Sequence, residues 1–357
     1  MEMPDLSSQL PKSVQFSPGL YLKDIFPLIP VFYPFYGCEK RCVFCAQPVQ
    51  TGMGEVAAND LLQHLDQVLD RASACAAVEI AFYGGTFTLW PRAMQQACLE
   101  RVAHRCAETN AWRVRCSTRP ASFGPGRAEP LELAWLRTLR SMGLHLVELG
   151  VQSFADAALR LAGRDYTGAA ASRGCESVRA AGLKLGIQLM PGMPGVSPEI
   201  FLDDVRRAID LGADCLRFYP CLVFEGTGLA ELWRQGRYAP WDLETTVQAM
   251  AEGLSLCWRA GIPVIRMGLA PGSDVRDALL AGPWHDSMGN LVQMASLALT
   301  LECAIGNRQV AALYVPFRCQ GFFGGRQGRL AEHLRQWNLS PENIFWHKQS
   351  YISIIFA

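Results

Sequence analysis

No excess of either charge marks this chain: 33 basic residues stand against 33 acidic ones. That balance excludes a protein that is basic over its whole surface, although it leaves room for a local basic patch. No uninterrupted apolar run of about 18 residues occurs, so no membrane span is expected. The opening Met-Glu-Met-Pro-Asp-Leu-Ser-Ser lacks a basic n-region and an apolar h-region, so no export signal is expected and the location reads as cytoplasmic. Low-complexity tracts and fixed-period repeats are missing as well. What is present suits a packed core: of 357 residues, 50% are hydrophobic and 18% charged, a globular balance rather than a disordered one.

Cysteine, by contrast, is plentiful, with 13 in the chain. Three of them fall in Tyr36-Gly-Cys-Glu-Lys-Arg-Cys-Val-Phe-Cys45, giving Cys38, Cys42 and Cys45 the spacing C-x3-C-x2-C. A closed zinc site or a simple electron-transfer cluster takes four protein ligands. Three thiolates leave one metal position open for a non-protein ligand, which points to catalysis. The competing reading, three ordinary buried thiols, expects strand or helix periodicity. The trio instead follows the apolar stretch Phe26–Phe35 and is mixed with Glu39, Lys40 and Arg41, as a loop at a strand end would be. Without an export signal a disulfide is the weaker alternative, and the other cysteines are expected to be reduced.

A recurring unit organises the chain: a short β-branched or aromatic run, a polar or glycine-rich turn, then a helical pattern. Strands are expected at Leu28–Pro34, Val78–Tyr83, Arg113–Ser117, His145–Leu149, Leu185–Met190 and Cys215–Tyr219, and Ile262–Met267 is a candidate seventh. Amphipathic segments such as Leu61–Ala74, Arg92–Glu108 and Ile200–Leu211 alternate with them. This alternation predicts an α/β fold with a parallel sheet, a partial (β/α)6-type barrel with ligands at the C-terminal strand ends. The expected division is an N-terminal extension over 1–26, a core barrel over 27–270 and a small α+β region over 271–357.

The cysteine trio, followed after the second strand by Tyr83-Gly-Gly-Thr-Phe-Thr88, resembles the radical S-adenosylmethionine (SAM) enzymes. Further segments resemble the radical half of the elongator catalytic subunit: Cys116-Ser-Thr-Arg-Pro120, Val147-Glu-Leu-Gly-Val-Gln-Ser-Phe154, Gly163-Arg-Asp-Tyr-Thr167 and Gly186-Ile-Gln-Leu-Met-Pro-Gly-Met-Pro-Gly195. They are similar, more distantly, to the oxygen-independent coproporphyrinogen III oxidases. The resemblance implies a [4Fe-4S] cluster on Cys38, Cys42 and Cys45, with S-adenosyl-L-methionine chelating the fourth iron. It implies reductive cleavage of SAM to a 5′-deoxyadenosyl radical that takes hydrogen from a substrate, with an electron donor such as flavodoxin or ferredoxin. Gln152, Arg164 and Gln188 fall where residues contacting the cosubstrate lie in that family, and Gly84, Gly85 and Thr86 form the glycine motif. Lacking Cβ, the glycines are expected to admit a ligand close to the backbone. Glu148, at the end of the fourth strand, is a candidate for binding ribose hydroxyls.

Departures from these families limit the substrate assignment. The elongator subunit carries an acetyltransferase domain after its radical domain, and with the chain ending at Ala357 none is expected here. Phe32 stands six residues before the first cysteine, where the coproporphyrinogen oxidases carry tyrosine. RNA, transfer RNA in particular, is one substrate class. A non-catalytic cluster- and SAM-binding or haem-trafficking protein is the alternative, and a zinc-binding RNA module is a third. In the C-terminal region Gly325-Arg-Gln-Gly328 fits G-x-x-G, a loop that clamps nucleic-acid backbones, and Arg318, Arg326 and Arg329 surround it as candidate RNA contacts. A plain glycine turn leading into a capping helix is the competing reading.

Overall fold

The computed structural model describes residues 13–18, 27–38, 40–52, 54, 60–72, 77–106, 112–124, 127–269, 273–323, 329–337 and 339–357. Its centre is a parallel sheet of seven strands lying side by side in chain order: β1 (Leu28–Phe32), β2 (Val78–Tyr83), β3 (Trp112–Thr118), β4 (Leu144–Gln152), β5 (Lys184–Leu189), β6 (Cys215–Phe218) and β7 (Val264–Met267). The sheet curls into a half-barrel. The (β/α)6 expectation is thereby extended by one unit, because the candidate run at Ile262–Met267 does pair, in parallel, with β6.

Burial explains the strand sequences. Every residue of β2, Val-Glu-Ile-Ala-Phe-Tyr, is buried, since helices cover one face of a parallel sheet and the barrel interior covers the other. The connecting helices start where a side chain can accept an otherwise unpaired backbone N–H. Thr167 accepts from Ala170 N ahead of the helix Gly168–Ala180, Ser197 from Ile200 N ahead of Pro198–Asp210, and Asp242 from Thr245 N ahead of Leu243–Arg259.

The helix Met288–Ile305 is the one helix among the described residues long and apolar enough to cross a membrane. It packs instead against Leu243–Arg259, and its Val292, Leu297 and Leu301 are buried. The Ser255 and Ser296 hydroxyls meet across this contact at 2.8 Å, so its few polar groups are satisfied inside the core. A helix apolar on most sides is what such a position requires.

A second, four-stranded sheet follows, in the order Ser13–Phe16, Ile352–Phe356, Val310–Pro316, Ile344–His347. The N-terminal extension thus supplies a strand to the C-terminal region, pairing antiparallel with the last strand. One hydrophobic core runs from Val31 to Ile354. Residues 270–272 and the G-x-x-G turn with Arg326 lie outside the described residues. Arg318 donates to the carbonyls of Ser350, at 3.0 Å, and Pro18, at 3.5 Å, a backbone-tying role in this small sheet. Arg329 opens the helix Arg329–Gln336.

Candidate active site

The three cysteines occupy the loop that leaves β1, as its sequence predicts. The chain turns through Pro34–Gly37, with Phe35 held at φ 60, a left-handed conformation that costs a non-glycine residue about 1 kcal/mol or more. Two acceptors fix it: Phe35 N donates to Gly84 O at 2.7 Å and to Gln47 Oε1 at 2.6 Å. The Tyr36 carbonyl in turn accepts from Thr86 N at 2.9 Å and from the Trp90 indole at 3.0 Å. The glycine pair after β2 is therefore a seat for the cysteine loop. A Cβ on Gly85 would come within 2.1 Å of Tyr36 O, and one on Gly84 within 3.1 Å of the Tyr33 backbone. A packing reason for the glycines therefore stands beside the expected one: two backbone segments approach too closely here for a side chain, and both glycines also line the cavity.

Around the thiols the chain supplies hydrogen-bonding groups. Cys38 Sγ lies 3.2 Å from Thr86 Oγ1. Cys42 Sγ receives the guanidinium of Arg119 at 3.3 Å and that of Arg164 at 3.2 Å. Burial, followed by the neighbouring Cys42 and Cys38, pushes the Cys45 thiol up to about 12. Three thiols lining one cavity, with donors aimed at sulfur, fit an iron–sulfur cluster with one open site. Cysteines elsewhere whose side chains are described are free thiols, as expected.

The cavity, of about 480 Å³, extends from this loop across the C-terminal strand ends and brings together the three cysteines and all the candidate cosubstrate-binding residues. Gln152, at the end of β4, adopts φ 70, and its Oε1 accepts from Gln188 Nε2 at 3.2 Å. Arg164 divides its guanidinium among Cys42, the Tyr166 hydroxyl and Gly150 O, which places it behind Cys42. Glu148 lines the cavity but is 2% exposed, and both its oxygens are engaged. Oε1 accepts from the Tyr83 hydroxyl at 2.6 Å and from Arg115 at 3.3 Å, and Oε2 accepts from Arg217 at 2.5 Å. Arg115 also pairs with buried Glu79. Burial works against charge on Arg217 and Arg115, yet the surrounding Glu148 and tyrosines, joined at Arg115 by Glu79, hold both guanidiniums above their ordinary values. Tyr83, raised first by burial and then by Glu148, stays protonated and donates.

Sequence reading missed Arg115, Arg119, Arg217 and Arg266, all but Arg115 of which line the cavity. A signal was available: Arg115 and Arg217 interrupt apolar strands, and a charge inside a strand buried on both faces demands a partner. The identity of those partners, on other strands, was not readable from spacing.

A parallel half-barrel that holds three cysteines on its first loop, beside a cavity reaching the opposite strands, defines a protein that pairs an iron–sulfur cluster with a bound cosubstrate. The sequence model of the Radical SAM superfamily matches residues 32–208 and that of the Radical_SAM C-terminal domain matches residues 213–296, and the chain belongs to this superfamily. It is accordingly a radical SAM enzyme whose cofactors are a [4Fe-4S] cluster and S-adenosylmethionine. The chain is 32% identical to the tRNA uridine(34) acetyltransferase of Methanocaldococcus jannaschii over 160 residues, 44% of this chain and 27% of that protein. It is 27% identical to the heme chaperone HemW of Escherichia coli over 206 residues, 56% of this chain and 52% of the relative. The solved structure of Elp3 from the archaeon Methanocaldococcus infernus superposes with a TM-score of 0.59 at 21% identity, covering 80% of this chain and 66% of that one. That likeness supports the fold.

Proposed function

We propose that this protein cleaves S-adenosylmethionine reductively and directs the resulting radical at a C–H bond of an RNA substrate held in the same cavity. The observation that carries the radical part is the single cavity shared by the three cysteines and by residues from the ends of β2 to β7. The RNA part is supported by the likeness to tRNA uridine(34) acetyltransferases within the radical region. When bound, the reduced cluster supplies the electron that breaks the cosubstrate's C5′–S bond, and an external donor of the flavodoxin or ferredoxin kind restores it.

The chain's own residues bind, orient and shield. Thr86, Arg119 and Arg164 hold the ligand sulfurs by hydrogen bonds, which sets the charge that the site tolerates. The Gln152–Gln188 amide pair offers donors and acceptors to the cosubstrate at the strand ends. Apolar wall residues, among them Phe32, Leu222 and Leu269, keep water from a reactive intermediate.

Anaerobically reconstituted protein should bind about four irons, and with dithionite it should convert SAM to 5′-deoxyadenosine. Cys42→Ala should abolish both, and a variant that kept cluster and cleavage would show the site to be wrongly assigned. Binding of SAM without 5′-deoxyadenosine would favour the haem-trafficking alternative suggested by the HemW likeness. Failure of transfer RNA to bind would remove the RNA part and leave the cleavage part standing.

A further inference from the structure

We propose that Arg217 and Arg266 form an oxyanion-binding subsite for the substrate, so that the molecule attacked carries a phosphate or carboxylate group close to its reacting carbon. The inference rests on the cavity being the substrate site, as argued above. Arg217 on β6 and Arg266 on β7 are direct register partners in adjacent parallel strands, and both line the cavity. They stand at the edge of the sheet opposite the strand that carries the cysteine loop. Between these two positions lies the space a substrate would fill.

The charges do not balance at this end. Glu79 and Glu148 are matched by Arg115 and Arg217, which leaves Arg266 in excess. Arg266 donates its Nε to Gly268 O at 3.1 Å, and none of the described carboxylates pairs with it. Arg217 gives Nη1 to Glu148, while its Nε is buried with no hydrogen-bond partner. Its guanidinium is steadied between the rings of Tyr83 and Tyr219, at 5.0 and 5.3 Å from their centroids. Two neighbouring guanidiniums, one with an unmet buried donor, repel each other until an anion bridges them, and their planar forks suit phosphate and carboxylate.

The test uses the reconstituted holoprotein with SAM bound, so that the cosubstrate's own carboxylate is not the anion measured. Calorimetric titration with inorganic phosphate, uridine 5′-monophosphate and acetate compares wild type with Arg266→Gln, Arg266→Lys and, as a control, Arg259→Gln on the exposed end of its helix. Arg266→Gln should weaken binding of the preferred anion by about 10- to 100-fold, the loss expected for charged hydrogen bonds. Arg266→Lys should recover part of it, and Arg259→Gln should change nothing. A preference for the nucleotide over inorganic phosphate assigns the anion to a nucleotide substrate, and a preference for acetate assigns it to a carboxylate. The proposal is overturned if wild type binds none of the three, or if Arg266→Gln binds them as wild type does. Wild-type production of 5′-deoxyadenosine in either of those cases would leave the radical function intact and defeat this subsite alone.

Discussion

Replacing Glu148 with Gln probes the buried charge array at the floor of the cavity. In wild type its two oxygens take three donors, from Tyr83, Arg115 and Arg217, at 2.5 to 3.3 Å. The amide keeps the size but removes the negative charge and turns an N–H₂ toward a guanidinium. Arg217 then has no ion-pair partner among the described residues, and Arg115 keeps only Glu79. Removing one member of a buried ion pair costs about 3–5 kcal/mol, because the remaining charge is left uncompensated in a low-dielectric site. Anaerobic urea denaturation of the reconstituted protein, followed by tryptophan fluorescence, should show a loss of that size. The double variant Glu148→Gln/Arg217→Met removes the orphaned charge as well and should regain at least half of it. A loss below about 1 kcal/mol for the single variant, or a double variant worse than the sum of its parts, refutes the reasoning.

Two further outcomes follow from the geometry. Gly85→Ala places a methyl 2.1 Å from Tyr36 O, so the cysteine loop must move; the variant should lose about 2 kcal/mol or more and most of its iron on reconstitution, and normal iron content would show that the seat is not needed. Asp204, on the helix Pro198–Asp210, accepts from Phe154 N at 2.7 Å, and burial pushes its carboxyl from 3.8 up to about 7. The folded state therefore holds a proton that the unfolded chain releases, so this contribution to stability is complete below pH 3.8 and is lost as pH rises through about 7. Relative to Asp204→Asn, wild type should lose stability over that window with a slope of up to about 1.4 kcal/mol per pH unit. Parallel curves for the two proteins would contradict the assignment.

Strand positions were legible because a sheet buried on both faces writes uninterrupted apolar runs: Val78–Tyr83 was read to the residue. The fourth strand was read as ending at Leu149 but reaches Gln152, because the ladder to its neighbour shifts register between Gly150 and Gln152, a bulge that leaves no mark in composition. Ser13–Phe16 was missed outright, since four residues without a strong apolar alternation become a strand only when the remote Ile352–Phe356 offers an edge. At the site, the cysteines and the cavity-lining Gln152, Arg164 and Gln188 were readable from motif and order, whereas Arg119, Arg217 and Arg266 on the same wall were not. The engagement of Glu148 by three donors was not, because they come from three other strands. The close approach of Gly85 to a carbonyl 49 residues earlier in the chain was equally hidden.

The pairing of Ser13–Phe16 with Ile352–Phe356 also sets an order of events during synthesis. At about 5–20 residues per second, the first of these strands waits on the order of tens of seconds before its partner leaves the ribosome. The seven barrel strands, all contained between Leu28 and Met267, are complete well before then. The half-barrel and its cysteine loop can thus assemble, and accept iron, while the small sheet is still waiting for its last strand.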